Sequence, residues 1–97
     1  MNLFEYDIPN LDSEVFEAIF RNKNIEIKKI ISNTLKTPQT FCSEKDEFVI
    51  VLKGCAKLEI DNEIKKLKSG DYIFIKAHTK HTLLKTKKVV VWLGIYF

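Results

Sequence analysis

No stretch of this 97-residue sequence is apolar enough to span a bilayer. The longest apolar run, Val89–Phe97, is about half the roughly 20 residues that a spanning helix needs. The opening residues Met1–Glu5 lack the basic segment and apolar block of a secretory signal. The two cysteines, Cys42 and Cys55, are too few for a disulfide scaffold and do not form a CxxC pair. Reduced thiols are typical of cytosolic proteins, so these absences predict a cytoplasmic protein with no membrane partner.

Arginine is almost absent, since Arg21 is the only one among 16 cationic side chains, and the formal net charge is only +3. Proteins that bind nucleic acids more often cluster arginine, whose planar guanidinium recognises phosphates and guanines. Here lysines alternate with apolar residues along the predicted strands, which is typical of a solvated sheet face. The sequence therefore predicts no nucleic-acid partner.

Glycine and proline are scarce, with three and two residues, while 45% of the residues are hydrophobic. This composition indicates one compact domain rather than a disordered chain. A domain of this length buries only a modest core, so we expect a dimer or a bound ligand to add stability.

Residues 1–24 form a predicted N-terminal extension that contains one short helix. Asp12 is a suitable N-cap for a helix over Ser13–Phe20. The apolar residues of this segment share one helical face: Val15, Phe16, Ile19 and Phe20. We expect this amphipathic helix to lie on a sheet.

Residues 25–97 show the pattern of seven or eight short strands separated by turns. Phe48–Leu52 is apolar on both faces and rich in β-branched residues, which is typical of a central strand that Gly54 ends. Asp61-Asn62 predicts a tight hairpin turn, and Ser69-Gly70-Asp71 predicts another. The predicted fold class is all-β: a small antiparallel β-barrel or jelly roll with the one N-terminal helix.

The last predicted strand, Val89–Tyr96, is apolar on both faces over most of its length. One face fills the barrel, so the other needs a cover. A second copy of the chain or the N-terminal helix can supply it, and we favour a homodimer because isologous pairs are the commonest assemblies.

Both histidines lie in one predicted loop, His78-Thr79-Lys80-His81, at the rim of the barrel. Neutral imidazole is a common metal ligand, but two surface histidines in a polar turn would show the same spacing. Glu47 stands directly before the central strand and can point into the barrel or towards water. These residues alone leave a metal site and a solvated rim open.

Two segments resemble the motifs of the cupin family. Glu47 is followed by six residues and then Gly54, as at the end of the first cupin motif. The segment Gly70-Asp71 through His81 follows the spacing of the second motif, with His81 at its ligand position. The resemblance covers roughly residues 25 to 97 and implies the conserved cupin barrel.

The resemblance also implies a divalent metal at the mouth of the barrel, with Glu47 and His81 at ligand positions. The chain has Thr40–Ser43 where the family places its first two histidines. We expect His78 to complete the set, because two histidines and one carboxylate suit Fe(II), Mn(II) or Ni(II). Cys42 is an alternative thiolate ligand that would favour zinc or iron, or it is a small apolar filler.

Six residues are predicted to line the substrate pocket: Phe41, Cys42, Ser43, Tyr72, Phe74 and Trp92. Two functions remain open. The first is a metal-dependent cupin enzyme acting on a small molecule. The second is a ligand-binding or structural cupin whose metal site has degenerated and whose barrel binds a small molecule with or without metal.

Overall fold

The computed structural model of the chain describes all of residues 1–97, which form seven β-strands and no helix. The strands pair antiparallel. In chain order they are β1 (Ser13–Arg21), β2 (Glu26–Asn33), β3 (Gln39–Phe41), β4 (Glu47–Ile60), β5 (Glu63–Lys68), β6 (Tyr72–Ile75) and β7 (His81–Tyr96). The predicted all-β fold class is confirmed. No helix of the protein could cross a membrane.

The predicted helix over Ser13–Phe20 is wrong, because this segment is strand β1. It pairs with β2 from Ser13 to Arg21, with Phe16 opposite Ile30 and a register shift at Ile19. Asp12 does not cap a helix: its carboxylate accepts hydrogen bonds from the N–H groups of Lys36 and Thr37 and from the Thr37 hydroxyl. Val, Ile and Phe favour strands, and the free edge of β2 satisfies the backbone of β1, so tertiary pairing outweighs the helical pattern.

Strands β4 and β7 are long enough to belong to both layers of the barrel. Their ladder runs from the pair Glu47–Tyr96 to the pair Ile60–His81, and it is interrupted by register shifts around Lys53. Such bulges bend a strand pair. On one side of the bend, β1-β2-β7-β4-β6 form a five-stranded layer, and on the other β3-β7-β4-β5 form a four-stranded layer. The sequence predicts that the central strand ends at Gly54, but β4 continues through it.

The core lies between the two layers. The five-stranded layer contributes Ile30, Val51 and Trp92, and the four-stranded layer contributes Leu58 and Leu83. These side chains alternate with outward-facing neighbours, as the twofold period of a strand requires. The hairpin predicted at Asp61-Asn62 joins β4 to β5, and both turn residues have positive φ angles of 50° and 63°.

The N-terminal segment covers part of the outer face of the five-stranded layer. The Lys29 ammonium donates to the Glu5 carbonyl at 2.6 Å, and the Asn33 amide donates to the Pro9 carbonyl at 2.7 Å. Beneath this segment Ile31 and Val91 are almost fully buried. The irregular N-terminal segment therefore covers part of the sheet surface that the predicted helix was expected to cover.

Candidate functional site

Glu47 and His81 meet inside the barrel although they belong to opposite ends of the β4–β7 ladder. Glu47 begins β4 in the five-stranded layer, and His81 begins β7 in the four-stranded layer. Because the ladder folds over, the two layers face each other and bring these side chains together. The Glu47 Oε2 atom lies 3.3 Å from the His81 Nε2 atom, and each side chain is only 7% exposed.

The pair lies in the wall of a small, partly open cavity of about 70 Å³, which we call the chamber. Nine of its twelve lining residues are hydrophobic, among them Phe16, Phe41 and Trp92. A wider depression of about 280 Å³, the vestibule, shares Phe16, Phe41, Glu47 and Tyr96 with the chamber. The vestibule also has a polar rim: Glu26, Lys28, Cys42, Ser43 and Lys45.

Burial dominates the electrostatics of Glu47. Loss of solvent raises the pKa of its carboxyl, while the charge of His81, the nearby Tyr96 hydroxyl and Lys28 act in the opposite direction. Burial and the Glu47 charge also raise the pKa of Tyr96, which therefore remains a neutral hydroxyl. The Glu47 Oε2 atom is the one buried side-chain oxygen or nitrogen of the protein without a hydrogen-bond partner.

The hydrogen-bond partner of the second ring nitrogen of His81 indicates which nitrogen carries a proton. The Nδ1 atom lies 3.1 Å from the Thr79 carbonyl oxygen, which can only accept a hydrogen bond. Nδ1 therefore carries a proton, and Nε2 faces Glu47 with either a lone pair or a second proton. The two atoms form no hydrogen bond in this geometry. A proton on one of them, or a bound ligand or cation, is therefore needed to prevent repulsion of two lone pairs at 3.3 Å.

A second carboxyl, Glu14, also lines the chamber. It accepts a hydrogen bond from the Ser32 hydroxyl at 2.5 Å, and Ser32 in turn accepts one from the Trp92 indole N–H at 3.0 Å. Burial raises the pKa of Glu14, and the Ser32 hydrogen bond opposes that rise. Glu14 and Tyr96 are not among the site residues predicted from the sequence. The alternation Glu14, Phe16, Ala18 would have placed Glu14 on the inner face if β1 had been recognised as a strand.

The structure does not bring His78 to the pair. His78 is exposed, has a positive φ of 64°, and lines a separate surface depression with Asp61 and Asn62. Its N–H donates to the Ser43 carbonyl at 2.7 Å, which fixes the turn before β7. The expectation that His78 joins Glu47 and His81 is therefore wrong, because the turn faces solvent while β7 begins by pointing inward.

Four of the six predicted pocket residues lie at the site and two do not. Phe41 and Trp92 line the chamber, and Cys42 and Ser43 line the vestibule. Tyr72 and Phe74 are 68% and 51% exposed on the outer face, so their assignment to the pocket is wrong. In β6 it is Ile73 and Ile75 that contact the core, and the twofold period sends their neighbours outward.

The donor set does not complete the three-ligand metal site implied by the sequence resemblance. Two donor atoms that each lie about 2.0–2.2 Å from one metal ion, at an angle of about 90° to 110°, are roughly 3.0–3.5 Å apart. The 3.3 Å between Glu47 and His81 therefore suits two ligand positions of one ion. No group of three or more His, Cys, Asp or Glu side chains that could hold a metal ion exists in the protein.

A family model described as the cupin domain matches residues 35–96 of the sequence. The chain belongs to the cupin family. The two positions at which it resembles the motif ligands of cupins, Glu47 and His81, are the two that meet in the chamber. The structure of this cupin is thus in agreement with the motif spacing, although it lacks a third ligand.

Several relatives resemble this cupin. An uncharacterised protein of Aquifex aeolicus is 33% identical over 85 residues, which cover 86% of this chain and 69% of that one. A Ralstonia eutropha protein provisionally named a mannose-6-phosphate isomerase has a TM-score of 0.87 at 30% identity, covering 99% of this chain and 94% of its own. A cupin superfamily protein of Desulfitobacterium hafniense has a TM-score of 0.78 at 16% identity, covering 92% and 81%, which supports the fold alone.

Proposed function

We propose that this cupin binds a small organic molecule in the chamber and exchanges a proton with it through the Glu47–His81 pair. The observation that carries the proposal is the buried Glu47 Oε2 atom, which has no hydrogen-bond partner and lies 3.3 Å from His81 Nε2 in an apolar cavity. A buried polar atom without a partner is costly, and a bound ligand that donates a hydrogen bond would remove that cost.

The shape of the site limits the ligand. A chamber of about 70 Å³ admits only a small group, and its mostly hydrophobic lining favours an apolar one with a single polar function. The larger vestibule can hold the rest of the molecule. Its Lys28 is already paired with Glu26 at 3.5 Å, so Lys45 is the rim cation that favours a negatively charged end. The name of the Ralstonia protein implies a sugar phosphate, but this chamber is poorly lined for sugar hydroxyls. We therefore propose a less polar ligand.

The pair is suited to move a proton. Burial favours the neutral form of Glu47, and a neutral carboxyl donates a proton readily once a ligand or His81 stabilises the resulting carboxylate. His81 is held in orientation by the Thr79 carbonyl and can take up that proton at Nε2. This arrangement supports general acid–base chemistry in a cavity with a mostly hydrophobic lining.

Trp92 provides the test, because this single tryptophan lines the chamber and is only 4% exposed. Small carboxylic acids and phenols, screened at millimolar concentration, should change its fluorescence and raise the melting temperature. The Glu47→Gln and His81→Asn variants should weaken binding of the same compounds by about tenfold, the worth of one charge-assisted hydrogen bond. His78→Asn is the matched control and should bind like the wild type. Equal loss in His78→Asn would contradict the proposal.

A divalent ion held by Glu47 and His81 and completed by ligand or water oxygens is the second candidate. The 3.3 Å separation of their donor atoms favours it. Elemental analysis of protein purified without chelator separates the two candidates. One equivalent of iron, manganese, nickel or zinc that is lost in His81→Ala would support the metal, whereas folded, metal-free protein that cannot be loaded would exclude it.

We also propose that the protein is a homodimer through the outer face of the five-stranded layer. Beyond the area covered by the N-terminal segment, this face is apolar and at least partly exposed: Phe48, Ile50, Tyr72, Phe74, Leu93 and Ile95. None of these side chains is charged, so a copy related by a twofold axis would meet no like-charge repulsion.

Sedimentation velocity tests the dimer. Phe74→Glu should weaken self-association by about tenfold or more, because it would bury a charge at the interface. Ile64→Glu is the control, since Ile64 is 58% exposed on the other layer. A wild-type protein that sediments as a monomer at about 100 μM would disprove the assembly.

A further inference from the structure

The outer face of the four-stranded layer carries a dense group of lysines. Cross-strand pairing places Lys57 of β4 directly opposite Lys66 of β5 on one side and Lys85 of β7 on the other. The neighbouring residue on the same face, Cys55, is flanked in the same way by Lys68 and Lys87. All six side chains are exposed. We call the five lysines the lysine face.

No carboxylate neutralises the lysine face. The salt bridges of the protein involve other cations, and none of the five ammonium groups lies within 4.0 Å of a carboxylate. The one acidic residue that lines the depression, Asp71, accepts the Lys68 backbone N–H at 2.8 Å and offsets only one of the five lysine charges. The charges of this face are therefore exposed to whatever approaches it.

This arrangement is unfavourable for folding alone. Like charges directly opposite each other on neighbouring strands destabilise a sheet, and Lys57 faces a lysine on both sides. The next outward position of β4, Glu59, is opposite Ile64 and Thr82 and so meets no like charge. Solvation of the sheet would be served equally well by alternating signs. A bound anion would turn the repulsion into attraction.

The dimensions of the lysine face favour a compact anion. Three strands and two residue pairs span roughly 10 Å by 7 Å, and the depression between them has a volume of about 570 Å³. A nucleic-acid site would need a longer positive track with arginine or stacking aromatic residues, and this depression contains neither. We propose that the lysine face binds a small molecule that carries two or more phosphate groups.

This site is separate from the chamber. The lysines point away from the interior, whereas their strand neighbours Leu58 and Leu83 line the chamber wall. The proposal does not depend on the chamber having a ligand. Its failure would leave the Glu47–His81 proposal unaffected, and the reverse also holds.

Inorganic tripolyphosphate is the probe, and its affinity can be measured by isothermal titration calorimetry. The triple variant Lys57→Gln, Lys66→Gln, Lys85→Gln should bind it at least about tenfold more weakly than the wild type, because charge-assisted contacts are lost. The control replaces Lys23, Lys36 and Lys76, which are exposed elsewhere, by glutamine and removes the same net charge. It should bind within about twofold of the wild type. Equal weakening in both variants would overturn the proposal, because only overall charge would then matter.

Loss of folding cannot explain the expected result, because removing the like-charge pairs should leave the lysine variant at least as stable as the wild type. A lower melting temperature for that variant would contradict the repulsion on which the proposal rests.

Alkylation of the two cysteines gives an independent test of where tripolyphosphate binds. Both thiols are free and exposed, but Cys55 lies at the centre of the lysine face and Cys42 lies at the vestibule. Tripolyphosphate should slow alkylation of Cys55 by iodoacetamide and leave Cys42 unchanged, as measured by mass spectrometry of the peptides. Protection of neither thiol, or of Cys42 alone, would overturn the proposal. Tighter binding of a 20-base-pair DNA duplex than of tripolyphosphate, with protection of Cys55, would instead identify a polymeric partner and also overturn it.

Discussion

Replacing Gly54 by alanine should lower the free energy of unfolding by about 3 kcal/mol. About 1–2 kcal/mol comes from a positive φ in a residue with a side chain, and about 1–3 kcal/mol from overpacking. Gly54 has a φ of 97°, and a Cβ atom there would lie 2.7 Å from the Val89 carbonyl oxygen and 2.9 Å from Val90 Cγ2. These contacts occur where β4 and β7 bend, so relief of the clash would disturb both layers.

Gly70→Ala is the matched control for this substitution. Gly70 has a similar φ of 92°, but nothing lies within 4 Å of the position that its Cβ would occupy. Its loss should be limited to the backbone cost of about 1–2 kcal/mol. Urea unfolding followed by Trp92 fluorescence measures both variants. Equal losses would show that the close approach of β7 to Gly54 contributes nothing.

His81→Leu should destabilise the protein by about 3 kcal/mol at pH 8 and by much less at pH 5, because it leaves Glu47 buried without its partner. Burial already raises the pKa of Glu47, and the positive charge of His81 opposes that rise. A carboxyl whose pKa is higher in the folded state contributes stability that is lost as the pH rises through that pKa. Without the charge of His81 the folded-state pKa of Glu47 rises further, so the variant loses more stability at high pH than the wild type does.

The double variant Glu47→Leu, His81→Leu should recover most of this stability. Replacement of both members of a buried pair by apolar residues is often neutral, and the surrounding chamber is already apolar. Thermal unfolding of the wild type, both single variants and the double variant from pH 5 to pH 8 gives the coupling energy. A pH-independent loss in His81→Leu would show that Glu47 does not titrate in the folded state as its burial requires.

Local patterns predicted the hairpins and the central strand because their signals depend on neighbouring residues. Asp61-Asn62 adopts the positive φ angles that a tight hairpin needs, and Ser69-Gly70-Asp71 lies in the turn before β6. The length of β4 was not predictable in the same way. Gly54 looks like the end of a strand, but here its positive φ permits a bend within one that continues.

Two kinds of site residue were predicted: Phe41 and Trp92 as aromatic lining of the barrel, and the Glu47–His81 pair from the spacing of a motif. Glu47 and His81 were identified because their positions relative to Gly54 and Gly70 resemble cupin motifs. His78 was misplaced because three residues of a turn are enough to reverse the direction of a side chain, and spacing carries no information on that direction. Glu14 was missed because the eight-residue segment Ser13–Phe20, in which Val15 and Phe16 are adjacent, fits a helix and a strand equally well.

The continuity of β4 and β7 through the bend has a consequence for how a molecule reaches the chamber. The two layers cannot move apart as rigid bodies, because that motion would break the β4–β7 ladder that they share. Strand β1, in contrast, is hydrogen-bonded on one side only, and it carries Phe16, which is 44% exposed in the chamber wall. Because the chamber already adjoins the vestibule, opening of this edge would widen an existing entrance, so the residue types of β1 would control the size of the ligand admitted as well as the closure of the barrel.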